Sequence, residues 1–286
     1  MNEKIAYEFL LWDNCNNNCR FCFQRQNDKR LSLEERKLSL ERVLAYLKLD
    51  FERGNDLILM GGEIFDTPSL FENLNIFFDS IIDMMLTGNI NILRINTNLI
   101  YKKKDALYYL LDAINQNNLF DRFTLTTSFD VEGRFIGKTK DLMLSNLKEI
   151  TKKYPCLYVT VNSILTNSLC NSILNKSFDI KSFQKEYGVE VLLIPYIILK
   201  NDLVASREKI FKTLRLVNDE IPNYISNMIL RWGDNVNFER RIFRFNGKEY
   251  EYCTSENSEC GHSVNFKNYS THGTCLICDL KTLFGI

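Results

Sequence analysis

Short apolar or β-branched runs alternate with longer amphipathic stretches through most of the chain. The runs cover residues 7–12, 56–60, 91–96, 122–128, 157–164 and 190–194. Each has the length and residue types of a strand. Between them lie stretches with helical spacing, near 33–50, 68–86, 104–116, 140–153 and 168–187. In the first of these, Leu40, Val43, Leu44 and Leu47 fall at i, i+3, i+4 and i+7, one face of a helix. Pro68 suits a first helical turn, and Asp105 is a candidate cap. Strands that alternate with helices predict βαβ units, right-handed crossovers and a parallel sheet. The continuously apolar Val191-Leu192-Leu193-Ile194 predicts a strand covered on both faces.

The alternation breaks after residue 220. A helix-like stretch over 223–230 is followed by a hairpin pattern, in which Phe243-Arg244-Phe245 and Glu249-Tyr250-Glu251-Tyr252 flank Asn246-Gly247. Residues 1–220 therefore read as a main domain and 221–286 as a C-terminal appendage. A chain of 286 residues can enclose one large core.

Charge changes this picture little. Lys plus Arg and Asp plus Glu both number 36, so no global field favours nucleic acid or an anionic membrane. The short basic runs Lys102-Lys103-Lys104 and Arg240-Arg241 read as solvated ends. No apolar stretch reaches the ~20 residues of a membrane span, and the apolar run Phe9-Leu10-Leu11-Trp12 is too short for a signal-peptide core. A soluble cytoplasmic protein is the expectation.

Cysteine changes the picture most. In a reducing compartment, nine cysteines should be thiols or metal ligands. Cys156 and Cys170 stand alone and read as small buried hydrophobes. The other seven fall in two groups. The first is Asn14-Cys15-Asn16-Asn17-Asn18-Cys19-Arg20-Phe21-Cys22-Phe23, directly after the first predicted strand. Three thiolates in one loop suit an iron–sulfur cluster or zinc. Protein-held cubanes commonly take four cysteines, so three leave one iron open to a ligand. A zinc knuckle with a distant fourth ligand is the alternative.

Cys15-x3-Cys19-x-Phe21-Cys22 resembles the signature of the radical S-adenosylmethionine superfamily. Later residues extend the resemblance. Gly61-Gly62-Glu63 ends the second strand and resembles that family's methionine-binding segment, with Ile64 where many relatives have Pro. Asn96-Thr97-Asn98-Leu99 resembles a Thr-Asn-Gly strand end, with Leu99 in place of the glycine. Ser128-Phe129-Asp130 resembles a Ser-x-Asp, and Asn162 lies at a familiar polar position. Taken singly, such strand-end residues are ordinary caps. Together they mark the edge at which parallel α/β sheets bind ligands.

The resemblance covers about residues 5–200. It implies an α/β fold, a partial (βα)6 TIM-like barrel open on one side, and a radical S-adenosylmethionine core over 1–220. It implies that Cys15, Cys19 and Cys22 hold a 4Fe-4S cluster whose open iron chelates S-adenosyl-L-methionine. Glu63 would then hold the ammonium group beside Gly61, Gly62 and Asn98. Ser128, Asp130 and Asn162 would seat the nucleoside, and Phe21 and Phe23 would shield the cluster. An electron from the reduced cluster would cleave a carbon–sulfur bond of the sulfonium. That gives methionine and a 5′-deoxyadenosyl radical, which takes hydrogen from a substrate. The electron would come from an external donor such as flavodoxin or ferredoxin. No general base is assigned.

The second group is Cys253, Cys260, Cys275 and Cys278. It suits a structural zinc site, with His262 or His272 able to replace Cys253, or an auxiliary iron–sulfur cluster. The segment is loosely similar to the SPASM/Twitch regions of some radical S-adenosylmethionine enzymes, which favours the auxiliary cluster. That similarity implies a peptide or protein substrate. Two alternatives remain: a viperin-like enzyme acting on a nucleotide or other small molecule, and a non-catalytic metal-binding or electron-transfer module.

Overall fold

The computed structural model describes residues 5–20, 22, 30–135, 137–194, 196–198, 203, 205–228, 239–244, 249–251, 273–275, 282–283 and 285. Six strands form where the apolar runs predict them: β1 (Ile5–Leu10), β2 (Asn55–Met60), β3 (Ile90–Asn96), β4 (Phe123–Ser128), β5 (Tyr158–Ile164) and β6 (Glu190–Ile194). All six are parallel, and each lies beside the next in sequence. The helices between them are α1 (Leu33–Leu49), α2 (Phe71–Leu86), α3 (Asp105–Gln116), α4 (Thr139–Lys153), α5 (Asn167–Leu174) and α6 (Ile180–Tyr187). This open parallel α/β sheet is the expected partial barrel.

Local chemistry sets the helix limits. Ser32 and Glu35 form a reciprocal capping box at the start of α1. Pro68 opens a short 3-10 turn that leads into α2. Asp105 is not a cap: Lys104 holds that position, and Asp105 lies inside the first turn of α3. There its charge still favours the helix N-terminus. The stretch expected as one helix over 168–187 is two. Lys176 takes φ 61° just after α5, and Asp179 caps α6 by accepting from Ser182 N at 2.6 Å.

The sheet has two different faces. Leu57, Leu59, Leu93, Ile95, Leu125, Val161, Val191 and Leu193 lie on the outer face and are essentially inaccessible. Tyr7 and Phe9 of β1 pack on Tyr46 of α1 on this side. Burying such side chains contributes roughly 1.5–3 kcal/mol each, which makes this face the main stabilising layer. The inner face carries Arg94, Asn96, Thr124, Thr126, Ser128, Tyr158, Asn162 and Glu190, all only half-buried, with Thr160 buried among them. The Thr126 and Thr160 hydroxyls bond at 2.9 Å across neighbouring strands, and Tyr158 donates to Glu190. β6 therefore differs from its expectation. Val191 and Leu193 are buried, but Glu190, Leu192 and Ile194 face the open inner side. Its outer edge is closed by side chains. The Tyr224 hydroxyl accepts from Leu193 N at 3.0 Å and donates to Val191 O at 2.8 Å, while Gln184 accepts from Val191 N at 2.9 Å.

After β6 come β7 (Tyr196–Ile198), α7 (Arg207–Glu220), β8 (Glu239–Arg244), β9 (Glu249–Glu251) and β10 (Gly273–Cys275). β8 runs parallel beside β1, and β9 pairs with β8 antiparallel, as the Asn246-Gly247 pattern predicts. The turn itself lies outside the described residues. β10 pairs with β7 antiparallel. The segment after 220 thus shares the main sheet. Cys170 is buried as expected, whereas Cys156 is exposed in the turn before β5. Among the described residues no helix is long and apolar enough to cross a membrane.

Candidate metal and cofactor site

The cysteine loop leaves the C-terminal end of β1, at the edge where the other parallel strands also end. Asn14 closes it. Its side chain donates to Leu31 O at 2.9 Å and accepts from Leu31 N at 2.8 Å, pinning the two ends of the loop together. Within the loop Cys22 N donates to Cys19 O at 3.2 Å. Two of the sulfurs receive several donors. Asn17 N and Asn98 Nδ2 reach Cys15 Sγ at 3.4 and 3.5 Å. Asn17 Nδ2 and Arg134 Nη1 reach Cys19 Sγ at 3.3 and 3.6 Å.

This donor set fits a negatively charged thiolate cluster. Burial pushes the Cys15 thiol up to about 11, against the Asn17 N–H bond, and the charges of Glu63, Cys19 and Cys22 add to the rise. Three thiols that oppose one another's ionisation suit a shared cationic centre, which deprotonates its ligands outright. Among the described residues no three His, Cys, Asp or Glu side chains stand close enough to hold a single metal ion. A cubane spreads its thiolates over separate irons and needs no such closeness.

Gly61 and Gly62 are required by packing against this loop. A Cβ on Gly61 would lie 2.7 Å from Trp12 O, and one on Gly62 would lie 2.0 Å from Asn14 O. Gly62 N donates to Trp12 O at 2.7 Å, and Glu63 N donates to Asn14 O at 2.8 Å. The close approach that these glycines permit is made by the chain entering the cysteine loop.

Glu63 turns inward and is 2% exposed. Its carboxylate accepts from Phe65 N at 3.1 Å, Thr97 Oγ1 at 2.7 Å and Asn98 N at 2.5 Å. Burial pushes the carboxyl up to about 7, against these three donors. Glu63 therefore ties the end of β2 to the end of β3. Asn98 carries the connection onward, donating to Asn16 Oδ1 at 2.8 Å as well as to Cys15. Leu99, standing where the resemblance expects glycine, takes φ 56° and is fully buried. The turn keeps the left-handed backbone that favours glycine, at a cost of roughly 1–2 kcal/mol. Asn146 of α4 holds it, donating to Leu99 O and Tyr101 O at 2.9 and 2.8 Å.

Ser128 and Asn162 are register partners on the inner face, at the ends of β4 and β5. Asp130 is not on that surface. It has no exposure and accepts from Ile164 N at 3.0 Å and from Arg134 Nε at 2.7 Å. Burial is the largest influence on Arg134 and works against its charge, but the Asp130 carboxylate together with Cys19 and Cys22 holds the guanidinium above its usual range. Arg20 N also donates to Gly133 O at 2.7 Å, docking the loop after β4 onto the cysteine loop.

The structure thus joins Cys15, Asn98 and Glu63 in one network and Cys19, Arg134 and Asp130 in another. Sequence reasoning missed Arg134, Asn16 and Asn17. A cation four residues beyond Asp130, in a glycine-bearing loop, was the available signal for Arg134. Phe21, Phe23, Cys253, Cys260, Cys278, His262 and His272 lie outside the described residues. Only the backbone of Cys275 is described, paired with Tyr196.

No family model and no curated protein matches this sequence. Solved structures do match its fold. anSMEcpe with bound AdoMet superposes with a TM-score of 0.57 at 14% identity, covering 86% of this chain and 74% of that one. anSMEcpe with AdoMet and the Cp18Cys peptide gives 0.56 at 15% identity, with 87% and 74% coverage. Streptococcus suis SuiB bound to the precursor peptide SuiA gives 0.54 at 14% identity, over 87% of this chain and 59% of SuiB. At these identities the likeness is one of fold.

Proposed function

We propose that this chain is a radical S-adenosylmethionine enzyme that modifies a peptide. One observation carries the reading: three thiols in a pinned loop at the ligand-binding edge of the sheet, with amide and guanidinium donors directed at two of their sulfurs. An electron carrier needs thiolates and donors, but not a polar inner face leading away from them. The fold of AdoMet-bound anSMEcpe supports the same assignment.

Cys15, Cys19 and Cys22 would hold a 4Fe-4S cluster, with Phe21 packed beside it. When bound, the reduced cluster supplies the electron that cleaves a carbon–sulfur bond of S-adenosylmethionine. The chain's own residues orient the parts. Gly61 and Gly62 present half-buried backbone next to the loop, where the methionine moiety would lie. Glu63 fixes that rim: Phe65 N and Thr97 Oγ1 share one carboxylate oxygen and Asn98 N takes the other, which keeps one acceptor site for an ammonium. Asn98 steadies Cys15. Ser128 and Asn162 offer a hydroxyl and an amide to the nucleoside. Asp130 acts through Arg134. The half-buried inner face below, with Thr126, Thr160 and Tyr158, would receive the substrate side chain. A peptide is favoured because structures of this fold were solved with the Cp18Cys and SuiA peptides. The electron would come from a flavodoxin or ferredoxin, and Cys253, Cys260, Cys275 and Cys278 would hold an auxiliary cluster or zinc.

The test is direct. Anaerobically reconstituted protein with dithionite and S-adenosylmethionine should release 5′-deoxyadenosine, and alanine at Cys15, Cys19 and Cys22 should abolish that release. A spectroscopically verified cluster that yields no 5′-deoxyadenosine overturns the reading.

A further inference from the structure

The two donor-rich cysteines are not equivalent. Among the described residues Cys15 receives only neutral donors, the Asn17 N–H and the Asn98 amide. Cys19 receives the Asn17 amide and a guanidinium, Arg134 Nη1 at 3.6 Å. Arg134 is not a surface side chain leaning on the loop. Its side chain is 13% exposed, and Asp130, with no exposure, grips Nε at 2.7 Å. Asp130 is anchored in turn by Ile164 N at the end of β5. A line of contacts therefore runs from the ends of β4 and β5 to one sulfur of the loop. The neighbouring backbone bond from Arg20 N to Gly133 O fixes the two loops against each other at the same place.

We infer that Arg134 is a positioning residue that sets the reduction potential of the cluster through Cys19. The inference rests on the reading above, in which Cys15, Cys19 and Cys22 hold that cluster. Hydrogen bonds to cluster sulfurs and net local charge are established determinants of such potentials. Reduction adds an electron to an anionic centre. A fixed cation bonded to one of its thiolates favours the reduced form and raises the potential. A charge-assisted donor does so more strongly than the neutral donors on Cys15. Asp130 keeps Nε occupied, which leaves the other end of the guanidinium fork directed at the sulfur.

The test is an anaerobic redox titration of the full-length reconstituted protein without S-adenosylmethionine, followed by the EPR signal of the reduced cluster. Wild type, Arg134→Gln, Arg134→Met and Arg134→Lys are compared at equal iron content per chain. The expected result is a more negative midpoint for the Gln and Met variants, with Lys recovering part of the difference. Unchanged or more positive midpoints in both neutral variants overturn the inference. If the neutral variants hold no iron but Arg134→Lys does, the comparison is Arg134→Lys against wild type: a more negative Lys midpoint supports the inference, and an equal or more positive one overturns it. If none of the three holds iron, Arg134 serves the fold alone and the inference falls. A wild-type chain that assembles no cluster refutes the functional reading instead, so the two failures are distinguishable.

Discussion

Glu63 and Asp130 are both buried carboxylates at strand ends, and each ties one strand to the next, yet one is held by neutral donors and the other by a cation. Burial pushes both carboxyls up. For Glu63 the donors Phe65 N, Thr97 Oγ1 and Asn98 N offset too little of that cost, and the group stands at about 7. For Asp130 the Arg134 guanidinium opposes the rise. The difference separates two uses of a buried acid. The neutral arrangement fixes the shape of the β2–β3 rim, and the ionic one brings a charge to a cysteine sulfur.

Removing the cation's partner should have the largest effect. Asp130→Asn leaves Arg134 buried without a countercharge, and breaking such a pair costs about 3–5 kcal/mol. Urea unfolding of the cluster-free chain should show this loss, and Asp130→Asn with Arg134→Gln should recover more than half of it. A single-variant cost below about 1 kcal/mol would mean that the ionic end is no different from the neutral one.

The neutral end predicts a pH dependence instead. Glu63 has a folded value of about 7 against an ordinary 4.5. A carboxyl raised in the folded state favours folding most below the lower value, and that contribution is lost as pH rises through the upper one. Stability should therefore fall between pH 4.5 and 7, by about 3 kcal/mol from this group. The Glu63→Gln series should lose this share of the fall and keep the part due to other raised carboxyls, among them Glu190, which burial also pushes up to about 7; equal slopes in the two proteins would defeat the prediction. At pH 5, Glu63→Gln should itself cost about 1–3 kcal/mol, because its amide turns donors toward a site built of donors. The smallest effect belongs to Glu132, on the same loop as Arg134. Its 3.8 Å pair with Arg20 is about half exposed on both sides. Glu132→Gln should change stability by less than about 0.5 kcal/mol, so exposure, not charge alone, sets the scale.

The strands were legible because their apolar runs bind to one well-packed outer face, and the register of β1–β6 follows from that pattern. The cysteine loop was legible because spacing alone brings its thiols together. The roles of Glu63 and Asp130 were not, since a carboxylate at a strand end reads the same whether it turns toward a ligand or toward the protein. Burial decides between these, and burial depends on Thr97, Asn98, Arg134 and Ile164, which are distant in sequence from their partners or carry no motif. The same holds for Asn14, Asn16 and Asn17, which look like an unremarkable polar run yet each make a different contact. The split of 168–187 was hidden because the buried Ile173 and Ile180 stand seven residues apart across the five-residue turn, which keeps the helical period. Pairing of β8 with β1 was hidden because it joins strands more than two hundred residues apart.

The Tyr224 hydroxyl on β6 has a consequence for how a peptide could be recognised. An exposed sheet edge is a template on which an extended chain can polymerise through its main-chain groups. On β6 the amides of Val191 and Leu193 are already occupied, by Gln184 and by Tyr224. An incoming backbone would find no donors at those two rungs. At this edge, then, a peptide would be gripped by its side chains or ends at the inner face, and selectivity there would lie in what those side chains are and not in an ability to extend β6.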